Sequence, residues 1–339
     1  MPVVDVDPGL TAAGPAAIEA GLADHAGQPV LVRLDADALA ASDERAMRAW
    51  LRTAPVATLA IGEPPRALRD AVDCWVAEAS TADRIADGFA RAPLAGVTAA
   101  LLVRDAPVGV WPGLVAESTA YSMLQGGPEF AAWRDGHRAS PAGDAPPRVR
   151  VAVERGPTVV TLTRAARHNA LDTRLRDELD AALAALDGGR EPVIVRGEGP
   201  SFCSGGDLDE FASFPDPASA HVIRLTRSLA WRFHRLERRL VVGLHGACLG
   251  AGLELPAFAG KVVATDDARL GLPELGLGLI PGAGGTVSIP RRAGRRVLLR
   301  MVWGGETIDA YRARRWGLVD EVVPPSRLDD RLRELAAAR

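Results

Sequence analysis

At 339 residues, with 47% hydrophobic and 24% charged, the chain has the balance of a globular protein that can bury a sizeable core, as one large domain or two. A formal net charge of −3 and a pI near 6.1 give no electrostatic case for binding nucleic acid or an anionic membrane surface. The three cysteines, Cys74, Cys203 and Cys248, lack CxxC spacing, so neither a disulfide framework nor a zinc site is expected.

The opening MPVVDVDPGL lacks the basic-then-apolar progression of a signal peptide, and a cytoplasmic location is expected. Up to Gln28 the chain is small and polar, a loose start or a short helix. Strands are predicted at Pro29–Asp35 and Val56–Ile61, with a helix between them at Ala38–Thr53. From Pro65 to Arg104 the pattern is helical and alanine-rich, with a new helix starting at Pro93, and Gly113–Trp133 continues as helix. Gly136–Pro147, GHRASPAGDAPP, reads as a linker and divides the chain into residues 1–135, 136–147 and 148–339.

Beyond the linker, VRVAVERGPTVVTLTR predicts a hairpin turning at Arg155-Gly156-Pro157. An amphipathic helix follows at Asp172–Leu186, capped by Asp172 or Thr173, then a strand at Pro192–Arg196. SFCSGGDLDEF is a glycine loop opening onto a helix, and His221–Arg239 reads as one long helix. Leu240–Gly260 is about long enough to cross a bilayer, but its glycines and Pro256 mark it as a buried strand-turn-helix. Helical patches at Arg295–Trp303 and Asp309–Trp316, a strand at Leu318–Val323 and a last helix from Ser326 complete the chain. Alternating strands and helices predict an α/β fold with a largely parallel sheet.

Two glycine loops stand at strand-to-helix turns, SFCSGGD (Ser201–Asp207) and GACLGAG (Gly246–Gly252). Each leaves backbone N–H groups unpaired at the positive end of a helix, a setting that suits a developing oxyanion. Either loop taken alone is most often only a turn. Two carboxylates sit in apolar, glycine-rich sequence, Glu254 and Glu274. Read singly, each is an acid in a first helical turn, favoured by the dipole. The glycines of Gly276–Gly285 do not fit the GxGxxG spacing of a dinucleotide loop. A Cys203 nucleophile with His245 as base lacks a group to orient the histidine.

TLTRAARHNALDT, SFCSGGDL, HGACLGAGLEL, LGLPELGLGLIPGAGGT and ARRWGLVDEVVP occur in the order and approximate spacing of the enoyl-CoA hydratase/isomerase (crotonase) superfamily, which the chain resembles from about Val149 to Leu335. The resemblance implies a crotonase-like ββα spiral, trimers or pairs of trimers, an acyl-CoA substrate, and no cofactor beyond the CoA of that substrate. It implies that the backbone N–H groups of Ser204 and Ala251 form an oxyanion hole; Ala251 stands where the family usually has glycine. It places the family's two acid/base glutamates on Glu254 and Glu274, with Glu254 assigned to water and Glu274 to the Cα proton. Arg164 and Arg167 lie where relatives often contact the adenosine end of CoA. The activity implied is hydration of a 2-enoyl-CoA to a 3-hydroxyacyl-CoA. The alternatives are a Δ3-Δ2-enoyl-CoA isomerase and a non-catalytic acyl-CoA-binding interaction protein.

Relatives continue past their GLVDEVV strand with helices that close the acyl pocket. In this chain Trp75–Trp133 resembles that tail, placed before the core. The expectation is that residues 1–135 form an α/β appendage, a shortened and degenerate crotonase copy without catalytic acids of its own, whose helices pack on the catalytic half. The alternative is an alanine-rich appendage for oligomer contacts.

Overall fold

The computed structural model describes residues 2–137, 147–154, 156–211 and 216–338. Most of the expected linker, residues 138–146, and Arg155 of the hairpin turn lie outside the described residues. The strands, in chain order, are β1 (Val3–Asp5), β2 (Leu31–Asp35), β3 (Ala57–Ile61), β4 (Cys74–Val76), β5 (Val149–Val153), β6 (Thr158–Leu162), β7 (Val193–Gly197), β8 (Leu240–Leu244), β9 (Ala247–Leu249), β10 (Lys261–Thr265), β11 (Arg269–Gly271), β12 (Ile308–Asp309) and β13 (Glu321–Val323).

They form three sheets. The first is all parallel in the order β1-β2-β3-β4. The second runs β13-β10-β8-β7-β6-β5, parallel except for the antiparallel β5–β6 hairpin, and the third is β12-β11-β9. This is the predicted mixed α/β architecture.

The first sheet is covered on both faces, and the two-residue period of its strands sorts their side chains between two cores. Leu31, Ala57 and Leu59 point into the main core, while Val32, Leu34 and Ala60 point to a smaller one with Ile18, Leu39, Met47 and Leu51. The main core runs without interruption from the first sheet through helices Ala79–Arg91, Pro93–Arg104 and Val110–Gln125 into the second sheet. Residues 79–136 are therefore separated from residues 148–339 in sequence but share their core. The other face of the second sheet packs Val159, Ile194, Val241 and Val263 against Leu328, Leu332 and Ala336 of the last helix.

One contact fixes the join. The Trp303 indole, fully buried, meets the Phe89 ring edge-on at 5.9 Å and donates to the Gly96 carbonyl at 3.0 Å. Helix Ala79–Arg91 approaches so closely that a Cβ on Gly88 would lie 1.8 Å from the Trp303 carbonyl oxygen.

Two elements differ from expectation. The helical reading of Pro65–Arg104 conceals β4, whose Cys74 and Val76 are buried in line with β3. The long helix expected at His221–Arg239 is two, Pro217–Thr226 and Leu229–Leu236, because the Ser228 hydroxyl accepts from the Trp231 N–H at 3.2 Å and starts a second helix. Among the described residues no single helix is long and apolar enough to cross a membrane.

Candidate active site

Gly250 ends β9 and turns the chain with φ 49° and ψ −121°, a conformation that a side chain would strain. The helix it opens is a single turn, Ala251–Glu254, because Pro256 cannot continue it. Glu254 is thereby buried in the wall of a cavity of about 170 Å³. Glu274 reaches the same cavity from the turn after β11 and is also buried. Glu274 can reach this wall because Gly250 has no side chain, since a Cβ there would lie 2.5 Å from Glu274 Oε1.

Glu254 Oε2 accepts from the N–H groups of Ala283 and Gly285 at 2.7 and 2.8 Å. These belong to the glycine-rich loop that opens helix Gly285–Ala293, so orphan amides and helix dipole both face the carboxylate. A Cβ on Gly285 would lie 2.7 Å from Glu254 Oε2, so glycine allows this approach. Glu274 Oε2, by contrast, is buried with no hydrogen-bond partner. Burial pushes the Glu274 carboxyl up to about 8. Burial, then the charges of Glu274 and Glu117, push Glu254 well above the ordinary carboxylate range, opposed by its two N–H donors. The two N–H donors favour the negative charge on Glu254 over Glu274, whose Oε2 has none.

The loop's alternate amides go to a third carboxylate. Gly284 N–H donates to Glu117 Oε1 at 2.7 Å, and the Thr286 N–H and hydroxyl donate to Glu117 Oε2 at 2.9 and 2.7 Å. Four consecutive N–H groups, 283 to 286, are thus divided between Glu254 and Glu117. Burial lifts the Glu117 carboxyl to about 7 against these donors. Sequence reasoning missed Glu117, although a signal exists: positions 114, 117, 121 and 124 form a helical stripe, and its other members are Leu, Tyr and Leu. Tyr121, from the same helix, lines the cavity beside the two glutamates.

The oxyanion expectation is half corrected. Ala251 lines the cavity, and its N–H has no protein acceptor among the described residues. Ser204 does not serve as its partner, because its N–H donates to the His168 carbonyl at 3.0 Å. Gly205, at φ 101°, reverses the chain, and the next residue, Gly206, lines the cavity with an N–H that likewise has no protein acceptor among the described residues. The two backbone N–H groups left open to the cavity are those of Gly206 and Ala251.

Arg164 is also corrected. It is buried, pairs with Asp207 at 2.6 Å and Asp172 at 3.2 Å, and donates to the Ala170 carbonyl at 2.7 Å, which makes it an internal strut and leaves it no role in gripping phosphate. Arg167 is exposed and pairs with Asp209 and, at 3.7 Å, with Asp207. Neither arginine lines the cavity. Asp172 caps its helix as expected, accepting from Leu175 N–H at 2.8 Å. Cys203 is buried, its thiol pushed up to about 11 by burial, a poor setting for a nucleophile.

Fold and site together define an α/β spiral that directs two buried carboxylates and two open backbone donors into one cavity. The enoyl-CoA hydratase/isomerase family model matches residues 153–338, more than half of the chain, and the chain belongs to that family. It is 38% identical over 171 residues to the 2,3-dehydroadipyl-CoA hydratase of Escherichia coli (strain K12), covering 49% of this chain and 65% of that protein. It thus spans slightly less than two thirds of that relative. The fold matches an enoyl-CoA hydratase from Thermoplasma volcanium GSS1 with TM-score 0.53 and 28% identity over 57% of this chain and 79% of the other. A Thermobifida fusca YX structure of the same description, solved in complex with CoA, matches with TM-score 0.51 and 29% identity over 57% and 78%.

Proposed function

We propose that this protein hydrates a 2-enoyl-CoA thioester to the 3-hydroxyacyl-CoA. The observation that carries this reading is the joint placement of Glu254 and Glu274 in the cavity wall with the N–H groups of Gly206 and Ala251. Hydration needs a base for water at Cβ and an acid for Cα. Glu254, its charge supported by Ala283 and Gly285, accepts a proton from water as the oxygen bonds to Cβ. Electrons shift through the conjugated system onto the thioester oxygen, where the Gly206 and Ala251 donors stabilise the developing charge. Glu274, without a donor on Oε2 and with its pKa raised, delivers a proton to Cα. The sum is one water added and no net change in the protons held by the pair.

The relatives' names support the same class of reaction, and the CoA-bound neighbour supports a CoA thioester as substrate. A homotrimer or hexamer, as the family resemblance implies, is part of the proposal.

The test is loss of the enoyl-thioester absorbance of crotonyl-CoA and longer homologues, with product checked by mass. Wild-type protein is expected to add water, and Glu254→Gln and Glu274→Gln to lose at least a hundredfold in kcat. Absence of turnover on any 2-enoyl-CoA, or migration of a 3-enoyl double bond without hydration, refutes the reading.

A further inference from the structure

Arg224, on helix Pro217–Thr226, lines the cavity that holds Glu254 and Glu274 and also an adjoining one of about 110 Å³. Its guanidinium is held by neutral groups of helix Val110–Gln125. Nε donates to Ser118 Oγ at 3.1 Å, Nη1 to Gln125 Oε1 at 3.0 Å, and Nη2 to the Ser118 carbonyl at 3.4 Å and to Ser122 Oγ. It lies over the Tyr121 ring, 4.6 Å from the centroid. These bonds use four of its five N–H donors and leave one on Nη1.

Such a network fixes the position of a cation without neutralising it. Among the described residues no carboxylate forms an ion pair with Arg224. Glu117 is close enough to influence it but accepts from the 284–286 loop. Arg176, which also lines both cavities, is already paired with Asp177 at 2.8 Å. The rest of the lining is mixed: Leu171 stands in both cavities and Leu114, Leu225 and Leu229 in the second, while of the further acids in the first Asp172 and Asp207 are paired with Arg164 and Glu210 accepts from Thr173. A half-buried arginine with neutral partners in a partly apolar wall suits an anionic ligand, and its planar fork suits a carboxylate.

We infer that Arg224 selects acyl chains that end in a carboxylate, so that the substrates are CoA thioesters of unsaturated dicarboxylic acids. This rests on the hydratase reading above. In that arrangement the thioester lies at Gly206 and Ala251, the double bond faces the two glutamates, and the distal carboxylate reaches Arg224 and completes its coordination.

The experiment compares kcat/KM for trans-2-enoyl-CoA substrates of about six to ten carbons ending in a carboxylate, the corresponding primary amide, or a methyl group. The expected result is a preference of about ten- to a hundredfold for the carboxylate over the amide at the best chain length, the range of one charge-assisted hydrogen bond. Arg224→Leu should abolish that ratio, and Arg224→Lys should retain part of it. Equal rates for carboxylate and amide in the wild type overturn the inference even if no variant folds. An Arg224→Leu loss equal for all tails also overturns it, because Arg224 then braces the helices or contacts a CoA phosphate. Turnover of methyl-ended substrates without preference leaves the hydratase reading standing, whereas no turnover of any enoyl-CoA refutes both.

Discussion

Glu117 offers a way to separate the loop's geometry from the chemistry of the acids it serves. Glu117→Leu keeps most of the volume but removes every acceptor, leaving the buried N–H groups of Gly284 and Thr286 without partners. At about 1–3 kcal/mol for each buried amide, and little for a hydroxyl free to rotate, the destabilisation is about 2–6 kcal/mol. With roughly 2–4 °C lost per kcal/mol in a large domain, melting should fall by about 4–24 °C. Glu117 does not touch the reacting atoms in this scheme; it acts by positioning Ala283 and Gly285, which hold Glu254. A shift of the loop should therefore lower kcat by tenfold or more with little change in KM. Glu117→Gln, which keeps one acceptor, should recover part of both. Calorimetry and steady-state kinetics on the three proteins test the argument. A Leu variant that melts within about 2 °C of wild type with unchanged kcat would falsify it.

Two further outcomes follow from the same geometry. Gly250→Ala places a Cβ 2.5 Å from Glu274 Oε1 at a backbone angle unfavourable to alanine, so it should lower stability by about 1–3 kcal/mol and kcat at least tenfold; a denaturant melt and an activity assay decide it. Stability should also fall as pH rises. Glu117 and Glu274 sit near 7 and 8 when folded and near the ordinary value of 4.5 when unfolded, so between those values the native state binds more protons. Their contribution is complete below about 4.5 and is lost as pH rises through 7 and 8. Melting temperature between pH 5 and 9 should carry this downward component, and Glu274→Gln should reduce it; an unchanged slope in that variant counts against the buried-acid assignment.

What could be read from the sequence depended on whether a residue's role was local. Glu254, Glu274 and the Ala251 donor stand beside the glycines and strand ends that position them, so their motifs carried the site. Ser204 was misread by two residues, because the positive φ of Gly205 decides which amide faces the cavity, and that angle is not written in the pattern SGGD. Arg164 looked like a free cation because the pattern does not show that the chain turns back to bring it Asp172, from the end of its own motif, and Asp207, from the next one. The strand β4 was hidden by an alanine-rich context in which a strand of three residues carries little periodic signal.

Glu117 shows a different limit, and it bears on why the first half of the chain exists. Its carboxylate meets amides 167 and 169 residues further along, so no local pattern could reveal its purpose. The helix that carries it also supplies Tyr121 to the cavity and the serines and Gln125 that hold Arg224. A wall of the cavity, a brace for the Glu254 loop and a support for the candidate specificity residue therefore all come from one element outside the matched family segment. That element is anchored through the continuous core around Trp303. Residues 79–136 are structurally part of the second half's core and of the cavity wall, placed early in the sequence, with the β1–β4 sheet as the scaffold that leads into them.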